Sequence, residues 1–97
     1  MHTTEEYIRL LTQYKKQNAE RYGIKSIGIF GSVARGEQHP GSDVDVVVDM
    51  DSSDYFALCN IRTDLESLFA SKVDLVQRHK YLRPLFRKNI ERDAIMA

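Results

Sequence analysis

Tryptophan is absent and cysteine occurs once, as Cys59, among 97 residues. One thiol cannot form an internal disulfide, so the fold must rest on its core. A lone cysteine fits a reducing compartment, and the cytoplasm is the expected location. No apolar run is long enough to span a bilayer, and no membrane association is expected. The opening Met1-His2-Thr3-Thr4-Glu5-Glu6 is polar and acidic, without the basic start and apolar stretch of a signal peptide. Net charge is also missing: fourteen basic residues balance fourteen acidic ones, so bulk electrostatics favour no polyanionic partner and direct nucleic-acid binding is not expected. The three histidines, His2, His39 and His79, lack metal-ligand spacing, and His39 reads as a plain loop residue. Repeats, low-complexity tracts and linkers are not seen, and residues 1–97 are expected to form one domain.

What is present alternates helix and strand signals. Thr3 and Glu6 have the spacing of a capping box, so a helix should begin there and stop near Gly23. Tyr7, Leu11, Tyr14 and Asn18 recur at helical spacing, with Lys15, Lys16, Gln17, Glu20 and Arg21 on the wet side. Ile24 to Phe30 reads as a buried strand. Gly31-Ser32 should break it, and Val33-Ala34-Arg35 fits one helical turn closed by Gly36. Residues 37–42, with Pro40 and Gly41, must be loop. Asp43 to Asp49 is the clearest strand, with Val44, Val46 and Val48 on one face and Asp43, Asp45, Val47 and Asp49 on the less apolar one.

A second helix should run from a Ser52 or Ser53 cap to about Phe69, its inner stripe being Tyr55, Leu58, Ile61, Leu65 and Leu68, with Cys59 in its core. Lys72 to Val76 reads as a third strand. A final helix is expected near Pro84 with Leu85, Phe86 and Ile90 inward, followed by a short edge strand at Ala94-Ile95-Met96. The expected class is α/β (α+β): a small mixed sheet flanked by helices.

Asp43 and Asp45 stand two apart in that strand, so their carboxylates emerge on one face, with Cα atoms about 6–7 Å apart. Asp74 has the matching phase in its own strand. Three such charges about 6 Å apart, at an effective dielectric of about 20, repel by roughly 3 kcal/mol per pair. Cations, protons or a base such as Arg35 or Lys72 must offset that cost. Hard cations such as Mg²⁺ take oxygen ligands of this kind and bridge them to phosphates. Asp43 and Asp45 as exposed charges on a wet strand face would also fit. For Asp49, Asp51 and Asp54 the plain reading is preferred, Asp51 or Asp54 serving as a helix cap. Gly31-Ser32, between a buried strand and a helical turn, lets backbone N–H groups approach an anion and adds a hydroxyl. Alone it is only a turn; it gains weight because the aspartate pair follows about a dozen residues on.

Gly31-Ser32-Val33-Ala34-Arg35-Gly36-Glu37, followed by Ser42-Asp43-Val44-Asp45-Val46-Val47-Val48, resembles the signature of the DNA-polymerase-β-like nucleotidyltransferase superfamily, and its minimal (MNT) family in particular. The resemblance continues at Val73-Asp74-Leu75-Val76 and covers nearly the whole chain. It implies the polymerase-β-like nucleotidyltransferase fold and Mg²⁺ dependence, two ions serving turnover. It also implies transfer of a nucleotide, AMP from ATP being favoured. By that analogy Gly31, Ser32 and Arg35 would hold the triphosphate, Asp43 and Asp45 would bind metal, and Asp74 would join them and help activate the attacking hydroxyl. Similar proteins are often antitoxins paired with a helical HEPN-type ribonuclease toxin, some of which they silence by adenylylating a tyrosine.

The alternative is an antitoxin that neutralises its toxin by masking it, without chemistry. A small-molecule nucleotidyltransferase is a third reading, disfavoured because it would need a second domain. Homo- and hetero-oligomers both stay open. Arg78, Lys80, Arg83, Arg87, Lys88 and Arg92 stand against one acid, Glu91. That segment would meet solvent, the triphosphate, RNA or an acidic partner.

Overall fold

The computed structural model describes residues 2–37, 39, 41, 43–51, 54–78 and 84–97, with the backbone alone at 86, 87 and 89. Helix α1 spans Thr4–Tyr22. Thr3 caps it, its hydroxyl oxygen accepting from the Glu6 N–H at 3.2 Å. The helix ends on Gly23 in the left-handed region, φ 68°, a conformation that costs glycine nothing. Tyr7, Leu11 and Tyr14 form its buried stripe, while Asn18 is half-buried and donates to the Tyr14 carbonyl. Strand β1 (Ile24–Phe30) follows at once. The short helix α2 (Gly31–Ala34) begins on Gly31 itself rather than after the Gly-Ser pair.

Strand β2 spans Val44–Met50 and β3 spans Val73–Gln77, each one residue later than the valine pattern suggests. Between them lies α3 (Tyr55–Phe69). The expected Ser52 or Ser53 cap lies outside the described residues. Asp54 caps the helix, accepting from the Phe56 and Ala57 N–H groups at 3.0 and 3.2 Å. The buried stripe of α3 is Ala57, Ile61, Leu65 and Phe69. This corrects the expected stripe: Tyr55 is 73% exposed and Leu68 lies at the surface. The buried residues recur every four positions from Ala57, about one per helical turn. Cys59, on the opposite side of α3 from that stripe, is exposed rather than core.

Helix α4 (Pro84–Asp93) and β4 (Ile95–Met96) complete the chain. Ile90 faces inward as expected, whereas Leu85 is exposed. The Phe86 side chain, like His79, Lys80, Tyr81, Leu82, Arg83 and the Arg87 side chain, lies outside the described residues. Among the described residues no helix is long and apolar enough to cross a membrane.

The four strands form one mixed sheet in the order β3-β2-β1-β4. β1 is antiparallel to β2 and to β4, and β2 is parallel to β3 across the α3 crossover. Gly28 makes room for β4: a Cβ there would meet the Ile95 carbonyl oxygen at 2.5 Å and Met96 Sδ at 2.6 Å. One face of the sheet carries Ile27, Ile29, Val44, Val46, Val48 and Val73 against α1 and α3. Tyr7 and Phe69 meet there edge to face at 5.0 Å. Burying such side chains contributes about 1.5–3 kcal/mol each, and this is the main core.

The other face is not simply wet. Phe30, Val47 and Ile90 form a second small cluster there, flanked by Val76 and Ala94. Val47 is 2% exposed because α4 lies over it. The carboxylates of β2 and β3 share this second face.

Candidate active site

The site begins where β1 hands over to α2. Antiparallel register places Phe30 opposite Asp45, so the residue after Phe30 reaches the Asp45 side chain. That residue is Gly31, with φ 68°. A Cβ at Gly31 would collide with Asp45 Oδ2 and stand 3.2 Å from its Cγ. Only glycine satisfies both the backbone and the space.

Turn α2 is held tightly. The Arg35 N–H donates to the Gly31 carbonyl at 3.2 Å, and the Glu37 N–H to that of Ser32 at 2.8 Å. The Thr4 hydroxyl donates to the Val33 carbonyl at 2.6 Å, tying the start of α1 to the turn. Val33 is buried in the main core. Gly31 and Ser32 are half-buried, and the opening amides of the turn are the groups a helix start leaves for outside partners.

Asp45 is half-buried on β2, and parallel pairing sets it directly beside Asp74 of β3. Adjacent registered residues of a sheet point to one side. Asp43, two residues before Asp45, shares that side. The two outer carboxylates are exposed. Burial, together with the charges of Asp74 and Asp43, pushes the Asp45 carboxyl above its ordinary range, and Arg35 pulls it back in part. The structure thus brings Asp43, Asp45, Asp74 and Gly31 together. Among the described residues, however, no group of three or more acidic, histidine or cysteine side chains closes on one point.

The carboxylates offer the kind of donor set that a hard divalent ion takes, without forming a closed metal site among the described residues. The set consists of oxygens only, its charges repel one another, and its central member is partly withdrawn from water. Burial raises Asp45 most, and a cation would relieve the further rise that comes from Asp74 and Asp43.

Arg35, expected beside the triphosphate or paired with the carboxylates, is ion-paired on two sides. Its Nε donates to Glu37 Oε2 at 3.1 Å and its Nη1 to Asp93 Oδ2 at 2.9 Å. Asp93, the last residue of α4, carried no local sequence signal. Neither did Thr4, whose part in holding the turn depends on a contact 29 residues away. Asp49 is half-buried and Asp54 is a helix cap. His39 is exposed. The basic segment is partly neutralised from within: Arg78 pairs with Glu91 at 3.2 Å and Arg92 with Asp93 at 3.1 Å.

Residues 11–97 match the model of the nucleotidyltransferase domain family. The protein adenylyltransferase MntA of Thermococcus cleftensis is 36% identical over 96 residues, covering 98% of this chain and 96% of that protein. A solved structure of an inferred minimal nucleotidyltransferase has a TM-score of 0.77 at 29% identity, across 97% of this chain and 95% of that one. A chain from the complex of a tri-AMPylated Shewanella oneidensis HEPN toxin with an MNT antitoxin has a TM-score of 0.70 at 18% identity, across 97% of this chain and 71% of that one. That last likeness is one of fold.

Proposed function

The chain belongs to the nucleotidyltransferase domain family, and from that premise we propose that it moves AMP from ATP onto a tyrosine hydroxyl of a HEPN-type toxin and so acts as its antitoxin. It is a minimal nucleotidyltransferase with a mixed four-stranded sheet; donor, acceptor and partner are the proposed part. One observation carries the proposal: half-buried Asp45, paired in register with Asp74, stands against the Gly31 turn at an edge where both outer carboxylates are exposed. An open site of this kind suits an acceptor presented by another macromolecule. The Thermococcus relative, similar over nearly its full length, is named for protein adenylylation. A structure of the same fold pairs an MNT antitoxin with an AMPylated HEPN toxin.

In this reading Gly31 and Ser32 seat the triphosphate, with Arg35 beside them. Asp43 and Asp45 would hold Mg²⁺, with Asp74 alongside. When bound, such an ion would supply charge neutralisation at the phosphates and acidify the attacking hydroxyl. Asp74 accepts the tyrosine proton as the phenolic oxygen bonds to the α-phosphorus. The bond from that phosphorus to the bridging oxygen breaks, and pyrophosphate leaves with the electron pair.

The test is incubation with α-labelled ATP, Mg²⁺ and a HEPN-type protein as candidate partner, followed by peptide mapping. Label is expected on a partner tyrosine, and Asp43→Asn should reduce it by about 100-fold or more. Tight neutralising binding without label, unchanged in Asp43→Asn, would overturn transfer and favour masking.

A further inference from the structure

The last turn of α4 touches the nucleotide turn in two places. Ile90 packs with Phe30, the residue before Gly31, and with Val47. Three residues later, on the same side of the helix, Asp93 reaches Arg35, the residue that closes α2. The Asp93 side chain is only 13% exposed, and it accepts from two arginines: Arg35 Nη1 at 2.9 Å, and Arg92 Nε at 3.1 Å. Arg92 and Arg35 together hold the Asp93 carboxyl below its ordinary range.

Arg35 also has an acid on its other edge, Glu37, bonded at Nε. The guanidinium is therefore gripped at Nε and Nη1. Among the described residues Nη2 has no acceptor, so its two N–H groups, with the second one on Nη1, are left for a ligand. The Arg35 side chain is 43% exposed, and its charge still reaches Asp45, offsetting part of the rise in that carboxyl's pKa. An arginine held by one carboxylate keeps its planar fork oriented and loses less freedom when it meets a phosphate.

We propose that Asp93 is a positioning residue for the nucleotide: anchored through Ile90, it fixes the Arg35 guanidinium beside the Gly31–Ser32 turn for contact with the triphosphate. This rests on the nucleotidyl-transfer reading above. An ion pair exposed on its arginine side adds little to stability, so a positioning role should leave the ligand-free melting temperature nearly unchanged while nucleotide affinity falls. A merely structural role would move the melting temperature and leave nucleotide affinity alone.

The experiment measures dissociation constants for the Mg²⁺ complex of AMP-PNP, a non-hydrolysable ATP analogue, by titration calorimetry. It uses the full chain, Asp93→Asn, Asp93→Ala, Arg35→Ala and the Arg35→Ala/Asp93→Ala pair, with ligand-free melting curves for each. The isosteric Asp93→Asn keeps the test decisive if Asp93→Ala folds poorly. The expected result is affinity weakened about 5-fold in each Asp93 variant. The double variant should be no weaker than Arg35→Ala, since both changes remove one interaction. Unchanged affinity in the Asp93 variants, or losses that multiply in the double variant, would overturn the inference while leaving nucleotide binding intact. A wild-type chain that bound no Mg²⁺–nucleotide would overturn the transfer reading and the inference together.

Discussion

Asp45 bears opposing demands. Its half-buried carboxyl is pushed up by lost solvation and by Asp74 and Asp43, so in the metal-free chain the ionised form is a cost. The sign follows from linkage: a carboxyl whose folded pKa is raised makes the folded state hold its proton more tightly. The penalty is then full above the folded pKa and vanishes below the unfolded one. Asp45→Asn should therefore stabilise the metal-free chain at pH 7, raising the melting temperature by about 2–4 °C. The gain should fade as pH falls through the raised pKa toward the ordinary aspartate range. Melting curves with chelator across that range check it, and a variant less stable at pH 7 would show that Asp45 is a structural partner. Part of this was legible in the sequence: strand phase sets Asp43 and Asp45 on one side and Asp74 on the less apolar side of its own strand, while the β2–β3 pairing that joins them is seen only in the structure. The grip on Arg35 was not, since Asp93 is distant in the chain and ordinary in its neighbourhood.

Helix α3 shows how an element can be found correctly and turned wrongly. Its extent and its end near Phe69 follow from apolar density. Yet Tyr55 and Leu68 carry apolar weight on the surface, while Ala57, small and easily overlooked, is buried. The second face of β2 was misjudged for a related reason. Val47 is covered by Ile90 of α4, and no local alternation can announce a helix arriving from elsewhere. Caps are more local and follow simpler chemistry. Asp54 accepts two backbone N–H groups, so Asp54→Ala should cost about 1 kcal/mol, or about 4–8 °C in a domain of this size. Thermal unfolding measures it. A loss within error would mean that solvent satisfies those amides as well as Asp54 does.

Across the molecule, the sheet order puts β1 at the centre, with its nearest chain neighbour β2 on one side and the distant β4 on the other. The element order was readable from the pattern of apolar runs, whereas strand order depends on pairings between distant residues. That arrangement also bears on the order of folding. The β1–β2 pairing extends over most of both strands and closes only the short loop that carries α2, so its entropic cost is the smallest in the sheet. β3 must wait for the α3 crossover, and β4 for the rest of the chain. The rate-limiting nucleus should then contain β1 and β2. Val46→Ala is expected to slow refolding with a φ-value of about 0.5 or more, and Ile90→Ala chiefly to speed unfolding with a φ-value of about 0.3 or less. Denaturant chevrons separate the two, and the reverse ranking would place the nucleus at α4. On this route Gly31 meets Asp45 at the first committed step of folding, and Asp93 closes on Arg35 only at the last.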